Sequence, residues 1–187
     1  GHKSDSVSEI FSIIQLSNDF LESCIPTETK FTFEVNSIGN NDDRVKFNKD
    51  LVKYLEAHKD KLSEDSLTRL EKNPTRILDS KDSNDLEILV DAPKLSEYRS
   101  DKSSDSYKKL INLISDAKIS FKENPMLVRG LDYYNDFTFE IVPNNSSGSH
   151  DALGGGGQYD KLSYLLEGKE INGVGVAFGV DRIMELY

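Results

Sequence analysis

Apolar side chains recur at three- and four-residue intervals over residues 8–23, at Ile10, Phe11, Ile13, Ile14, Leu16, Phe20 and Leu21. That spacing lines one face of a helix and predicts an amphipathic helix packed on a sheet. The period then drops to two. Phe31-Thr32-Phe33-Glu34-Val35 alternates apolar with polar, which predicts a half-buried strand ending at the turn-forming Ser37-Ile38-Gly39-Asn40. From Asp43 to about Glu71 helical spacing returns, with Phe47, Leu51 and Leu55 on one face and a break at residues 62–65, where Ser63 suits an N-cap. Asn73-Pro74 stops the pattern, and residues 86–90 form one more short helical stretch before Ala92-Pro93. Residues about 43–100 therefore read as a small helical subdomain inserted in a mixed fold, between a first part, 1–42, and a second, 101–187. The Ser-, Asp- and Lys-rich run 96–107 reads as an exposed hinge or connection.

Beyond it, Tyr107, Leu110, Ile111, Leu113 and Ile114 predict a helix over 106–117, followed by strand-like Ile119-Ser120-Phe121 and a strand-sized apolar segment at 126–128. Phe137, Phe139 and Ile141 alternate with Thr138, Glu140 and Val142, again as in a strand. A polar loop at 144–149 leads to Gly154 to Gly157, and the Gly-punctuated apolar run 173–180 leads into a helix opened by Asp181-Arg182. Strands that follow one another closely favour an α+β architecture: a mainly antiparallel sheet flanked by helices, with the helical insertion beside it.

Composition narrows the possible chemistry. With 36% hydrophobic and 30% charged residues among 187, the chain is that of a globular protein. Its 23 Lys and Arg against 33 Asp and Glu give a net charge of −10, which argues against a surface built to clamp phosphate backbones non-specifically. No apolar run approaches the ~20 residues of a membrane span, and residues 1–6 lack a signal-like stretch, so no membrane association and a cytoplasmic setting are expected. Cys24 is the sole cysteine, which leaves no internal disulfide. His2, His58 and His150 have no carboxylate partners at ligand spacing, and no protein metal ligands are expected.

Four consecutive glycines suggest close approach of backbone N–H groups to an anion. However, Gly157 is followed by Gln158-Tyr159 rather than the Lys-Ser or Lys-Thr of a nucleotide P-loop, and Gly173, Gly175 and Gly179 miss the dinucleotide spacing by one residue. Two readings remain: a sheet surface kept bare for a flat ligand, or glycines that permit tight strand packing. Arg129, between an apolar segment and Asp132-Tyr133-Tyr134, suits bidentate phosphate binding or an ion pair with a nearby carboxylate. Tyr133 and Tyr134 are either core aromatics or partners for a polar heterocycle. Arg182 sits where the helix dipole disfavours a cation, a placement that suits stacking on a base.

Leu127-Val128-Arg129-Gly130-Leu131-Asp132-Tyr133-Tyr134 followed by Phe139-Glu140, then Gly155-Gly156-Gly157-Gln158-Tyr159-Asp160, then residues 173–183, closely resemble the histidyl-tRNA synthetases, a family of class II aminoacyl-tRNA synthetases. Upstream, Glu34-Val35-Asn36-Ser37-Ile38-Gly39, the run Asn73-Pro74-Thr75-Arg76-Ile77-Leu78-Asp79-Ser80-Lys81 and Asp91-Ala92-Pro93 resemble bacterial-type members in the same order. The resemblance implies ATP-dependent activation of histidine to histidyl-adenylate, then transfer to the 3′ end of tRNA. On that basis Arg129 is the expected catalytic residue, contacting the histidine carboxylate and the α-phosphate. Tyr133, Tyr134, Gly156 and Tyr159 line the expected histidine site, with Tyr134 on the imidazole. Arg182 is expected to stack on adenine, with Gly179 giving the base room. ATP with Mg2+, a tRNA acceptor stem approached by residues 43–100, and a homodimeric parent protein are the implied cofactor and partners.

The chain departs from the family at Gln158, where arginine is usual, at Asp181, where glutamate is usual, and at Asp136-Phe137. Segments resembling the first two class II motifs and the anticodon-binding domain are not found in these residues. The sequence thus reads as an internal piece of a longer synthetase, expected to be inactive alone. A catalytically silent, histidine-sensing relative of the synthetases is the alternative.

Overall fold

The computed structural model describes residues 6–128, 134–144, 152–168 and 171–187. The predicted first helix forms as α1, Ser6–Cys24. The strand after it, β1, Phe31–Gly39, runs past the expected turn at Ser37, and its register with the neighbouring strand shifts between Ser37 and Gly39. Gly39 adopts φ +66°, which ends the strand at little steric cost. Asn40 then starts α2, Asn41–Ala57, in a capping box with Asp43.

Ser63 caps α3, Glu64–Lys72, as its position suggested, and the chain continues through a 3₁₀ turn, Pro74–Asp79, into α4, Ser83–Leu89. The polar run 96–107 is not the expected solvated connection. Ser100 is the N-cap of α5, Asp101–Asp116, accepting from the Ser103 amide. Serine and aspartate favour helix starts as strongly as loops, and here the cap reading prevails. After α5 come β2, Phe121–Glu123, then β3, Asn135–Pro143, and β4, Gly154–Gln158. A helix that the hydrophobic pattern did not predict, α6, Lys161–Glu167, precedes β5, Val174–Phe178, and α7, Val180–Met184.

Residues 126–128 do not form the predicted strand. Asn124 turns the chain there, its side chain accepting from the Met126 amide and its carbonyl from Leu127. Leu127 and Val128 are buried all the same, and the Leu127 carbonyl accepts from Asn36 Nδ2 at 2.9 Å.

The five strands lie in the order β2-β1-β3-β4-β5; β1 and β2 run parallel and every other pair antiparallel. Alternation along the strands divides the sheet into two faces. One carries Phe33, Val35, Phe139 and Ile141, which pack with Ile10, Ile14 and Leu21 of α1 and with Tyr107, Leu110 and Ile114 of α5. The helical region 41–100 has its own cluster of Phe47, Leu51, Leu55, Leu70, Ile77 and Ile88. That cluster extends through Ile38, Val128 and Tyr134 to the other face of the sheet. No helix among the described residues is long and apolar enough to cross a membrane.

Candidate functional site

The register across β1, β3, β4 and β5 places two rows of side chains on the face opposite the α1–α5 core. One row is Glu34, Glu140, Gly155 and Ala177, and the other is Asn36, Thr138, Gly157 and Gly175. On β4 and β5 this face therefore carries nothing larger than a methyl group. The tight-packing reading of the glycine run holds on the core face. Gly154 and Gly156 point to the core, where a Cβ would collide with strand carbonyls and with Phe178 or Phe139. Gly156, expected in the histidine site, thus offers that site its backbone only.

Two tyrosines occupy the bare floor. A Cβ on Gly157 would stand 2.9 Å from the Tyr134 ring, and one on Gly175 would stand 2.6 Å from the Tyr159 hydroxyl. The rings meet edge to face, 6.1 Å between centroids. Tyr134 is buried, and Tyr159 is half-buried with its hydroxyl donating to the Val174 carbonyl at 3.1 Å. Beside Tyr134 a cavity of about 240 Å³ opens towards α2, lined by Ile38, Arg44, Phe47, Asn48, Thr75 and Val128. A polar cleft of about 500 Å³ lies between Glu140 on the sheet and Arg69, Arg76 and Lys81 of the helical region.

A polar network holds the end of the floor. Asn135 Nδ2 donates to both Asp136 and Asp160, Gln158 Nε2 donates to Asp160 at 2.5 Å, and the other Asp160 oxygen accepts from the Gly173 amide. Gln158 is buried, and its Oε1 has no donor. Where arginine is usual in the family, the neutral side chain here serves the Asp160 carboxylate through one N–H. Burial raises the Asp136 carboxyl above its ordinary range; the Asn135 hydrogen bond and the Arg44 charge oppose the rise, and the Asp160 charge adds to it.

At the far end of β5, the exposed Arg182 lays its stem along Gly179, and its guanidinium donates to the Ala152 carbonyl at 3.2 Å. Arg129 and Tyr133, together with His2 and His150, lie outside the described residues. His58 joins no site: its Nδ1 lies 2.9 Å from the Tyr54 carbonyl. Among the described residues no three His, Cys, Asp or Glu side chains gather closely enough to hold a metal ion.

Sequence reasoning missed Arg44, whose Nη1 donates to the Tyr134 carbonyl at 2.6 Å. It also missed the buried Asp43 that precedes it. A charged pair in the first turn of a helix looks like solvated surface, and only the 90-residue separation from Tyr134, closed by the fold, reveals its place.

Known proteins resemble this arrangement closely. The profile of the family described as histidyl-tRNA synthetase matches residues 5–183. The histidine–tRNA ligase of Anaplasma marginale (strain Florida) is 43% identical over 153 residues, 82% of this chain and 35% of the relative. That of Wolbachia pipientis wMel is also 43% identical over 153 residues, 82% of this chain and 37% of the relative. The chain spans about a third of the length of these curated relatives. Among solved structures, apo Staphylococcus aureus histidyl-tRNA synthetase superposes with a TM-score of 0.74 at 26% identity, over 98% of this chain and 44% of that one.

Proposed function

The chain belongs to the histidyl-tRNA synthetase family, and from that premise we propose that it carries the histidine and adenylate floor of a histidine–tRNA ligase. In the reaction the histidine carboxylate attacks the α-phosphorus of ATP, pyrophosphate leaves, and the adenylate then passes histidine to the 3′ end of tRNA. Arg129 neutralises charge that builds on the α-phosphate. Tyr134 and Tyr133 receive the imidazole, Tyr159 and the backbone at Gly156 complete the floor, and Arg182 over Gly179 takes the adenine.

The observation that carries this reading is the bare face of β4 and β5 with Tyr134 and Tyr159 standing on it. The small residues let both rings lie against the strands at Gly157 and Gly175, and the neighbouring row, Gly155 and Ala177, would receive a flat adenylate. Arg182 would take the adenine of ATP, and Mg2+ would arrive on the ATP phosphates. The helical region 43–100 carries 12 Lys and Arg against 13 Asp and Glu, so most of the chain's net charge of −10 lies elsewhere. An approach of this region to the tRNA acceptor stem, in a cytoplasmic and homodimeric parent protein, is part of the same proposal.

The test is calorimetric titration of the chain with a non-hydrolysable histidyl-adenylate analogue. Saturable binding, weakened at least about tenfold by Arg129→Ala and by Tyr134→Ala, is expected; each tenfold loss equals about 1.4 kcal/mol. Binding untouched by both substitutions would refute the assignment of these residues.

A further inference from the structure

Asp43 is 2% exposed, and its carboxylate accepts from the Asn40 amide at 3.2 Å, the Ser100 amide at 3.1 Å and the Ser103 hydroxyl at 2.6 Å. These bonds tie the first turn of α2 to the first turn of α5, and α5 is itself fixed to the sheet by Tyr107, Leu110 and Ile114 in the core. The next residue, Arg44, therefore leaves a backbone that has little freedom. Its guanidinium reaches across the cavity wall to the Tyr134 carbonyl at 2.6 Å, a charge-assisted bond to a neutral acceptor.

What Arg44 holds is the entry to β3. Tyr134 stands on Gly157, and two residues later Asp136 adopts φ +51°, a conformation rarely adopted outside glycine, asparagine and aspartate. The ladder takes up the chain at Asn135, opposite Gln158, and at Asp136, opposite Gly39, and Arg44 grips the residue immediately before them. Arg44 also supplies the positive charge that opposes the rise of the Asp136 carboxyl.

We propose that Arg44 is the positioning residue for Tyr134, fixing the ring on the glycine floor through the Tyr134 carbonyl without touching the ligand. The inference rests on the reading of Tyr134 as a histidine contact, and it adds that the first turn of α2 sets the shape of the pocket. A guanidinium suits the task because its planar, rigidly placed donors aim at the carbonyl, and a lysine ammonium on a flexible stem holds one acceptor less rigidly.

Tyr134-Asn135 is the only Tyr-Asn pair in the chain, so labelling with 13C-carbonyl tyrosine and 15N-asparagine yields a single carbonyl–amide NMR correlation from this bond. Arg44→Met is expected to move that carbonyl signal upfield, as lost hydrogen bonding requires, and to weaken the adenylate analogue about tenfold. Arg44→Lys is expected to recover part of both. The circular dichroism spectrum and the ring signals of Tyr54 and Tyr107 report whether each variant is folded.

An unmoved Tyr134 carbonyl in a folded Arg44→Met chain overturns the proposal, as does an Arg44→Lys chain no closer to wild type than Arg44→Met. If Arg44→Met does not fold, Arg44→Lys decides alone: a displaced carbonyl with weakened binding supports the proposal, and wild-type values for both overturn it. Failure of the wild-type chain to bind the analogue would sink the functional reading instead, and the carbonyl signal would still decide the role of Arg44.

Discussion

The sheet core and the helical region reach order by different means. Against the sheet, long helices α1 and α5 bury Ile10, Ile14, Leu110 and Ile114 on Phe33, Phe139 and Ile141, and Tyr107 of α5 adds a hydrogen bond to the Val35 carbonyl. In the helical region α3 and α4 have nine and seven residues, too short to be stable in isolation. There a buried carboxylate does the orienting. Asp85, 0% exposed, accepts from the Ser63 amide and from the hydroxyls of Ser63, Ser66 and Ser80. Burial alone would raise its carboxyl, but these bonds outweigh it and hold the group below the ordinary carboxylate range. Asp43 repeats the device where α2 meets α5. The short helices α3 and α4 are thus held by an aspartate that collects serine hydroxyls, the longer α2 and α5 meet at a second such aspartate, and α1 and α5 add broad apolar area against the sheet.

The contrast breaks first at its apolar pole. Phe139→Ala removes a fully buried ring that touches Phe33, and about 3–5 kcal/mol should be lost in denaturant unfolding followed by circular dichroism. Asp85→Ala strands three hydroxyls, that of the buried Ser66 among them, and an amide, so a loss of about 2–4 kcal/mol is expected, with faster hydrogen exchange in α3 and α4 than in α1 and α5. Because the folded-state value of Asp85 lies below the unfolded one, its contribution is complete above the unfolded carboxylate range. It fades as pH falls through the folded value, so the gap between wild type and Asp85→Ala should narrow in acid.

Asp136 gives the opposite sign. With its folded-state value raised, the carboxylate costs stability as pH rises past the unfolded value, and asparagine tolerates the left-handed backbone equally well. Asp136→Asn should therefore raise the melting temperature at pH 7 by a few degrees, a gain of at most about 1 kcal/mol. The gain should disappear near pH 3, and a gain that persisted there would mean the carboxylate charge is not its cause.

Much of this was legible in the residue pattern, because burial dictates periodicity. The 3.6-residue spacing of α1 and α5 and the alternation of β3 report directly on the face each presents to the core. The failures share a cause as well. Residues 126–128 are apolar because they are buried, but Asn124 and Pro125 turn them away from any ladder. Residues 96–107 are polar for two reasons: Ser96, Glu97, Asp101, Lys102 and Asp105 face water, while Ser100 and Ser103 serve a buried aspartate. In the candidate site, glycine identity announced close packing, yet only strand register could assign Gly157 and Gly175 to the face that carries Tyr134 and Tyr159, and Gly156 to the core. Arg44 carried no signal in the sequence, since its partner is a backbone carbonyl 90 residues away.

The central claim is that the α1–α5 face of the sheet is core and the other face is the ligand floor. Labelling the chain with 15N-glycine and titrating the histidyl-adenylate analogue tests it directly. The amide signals of Gly155, Gly157 and Gly175 should shift with a common saturation curve, and Gly168, at the end of α6, should stay in place. Saturable binding that leaves the β4 and β5 glycines unmoved, or no shift at any glycine, would contradict the account.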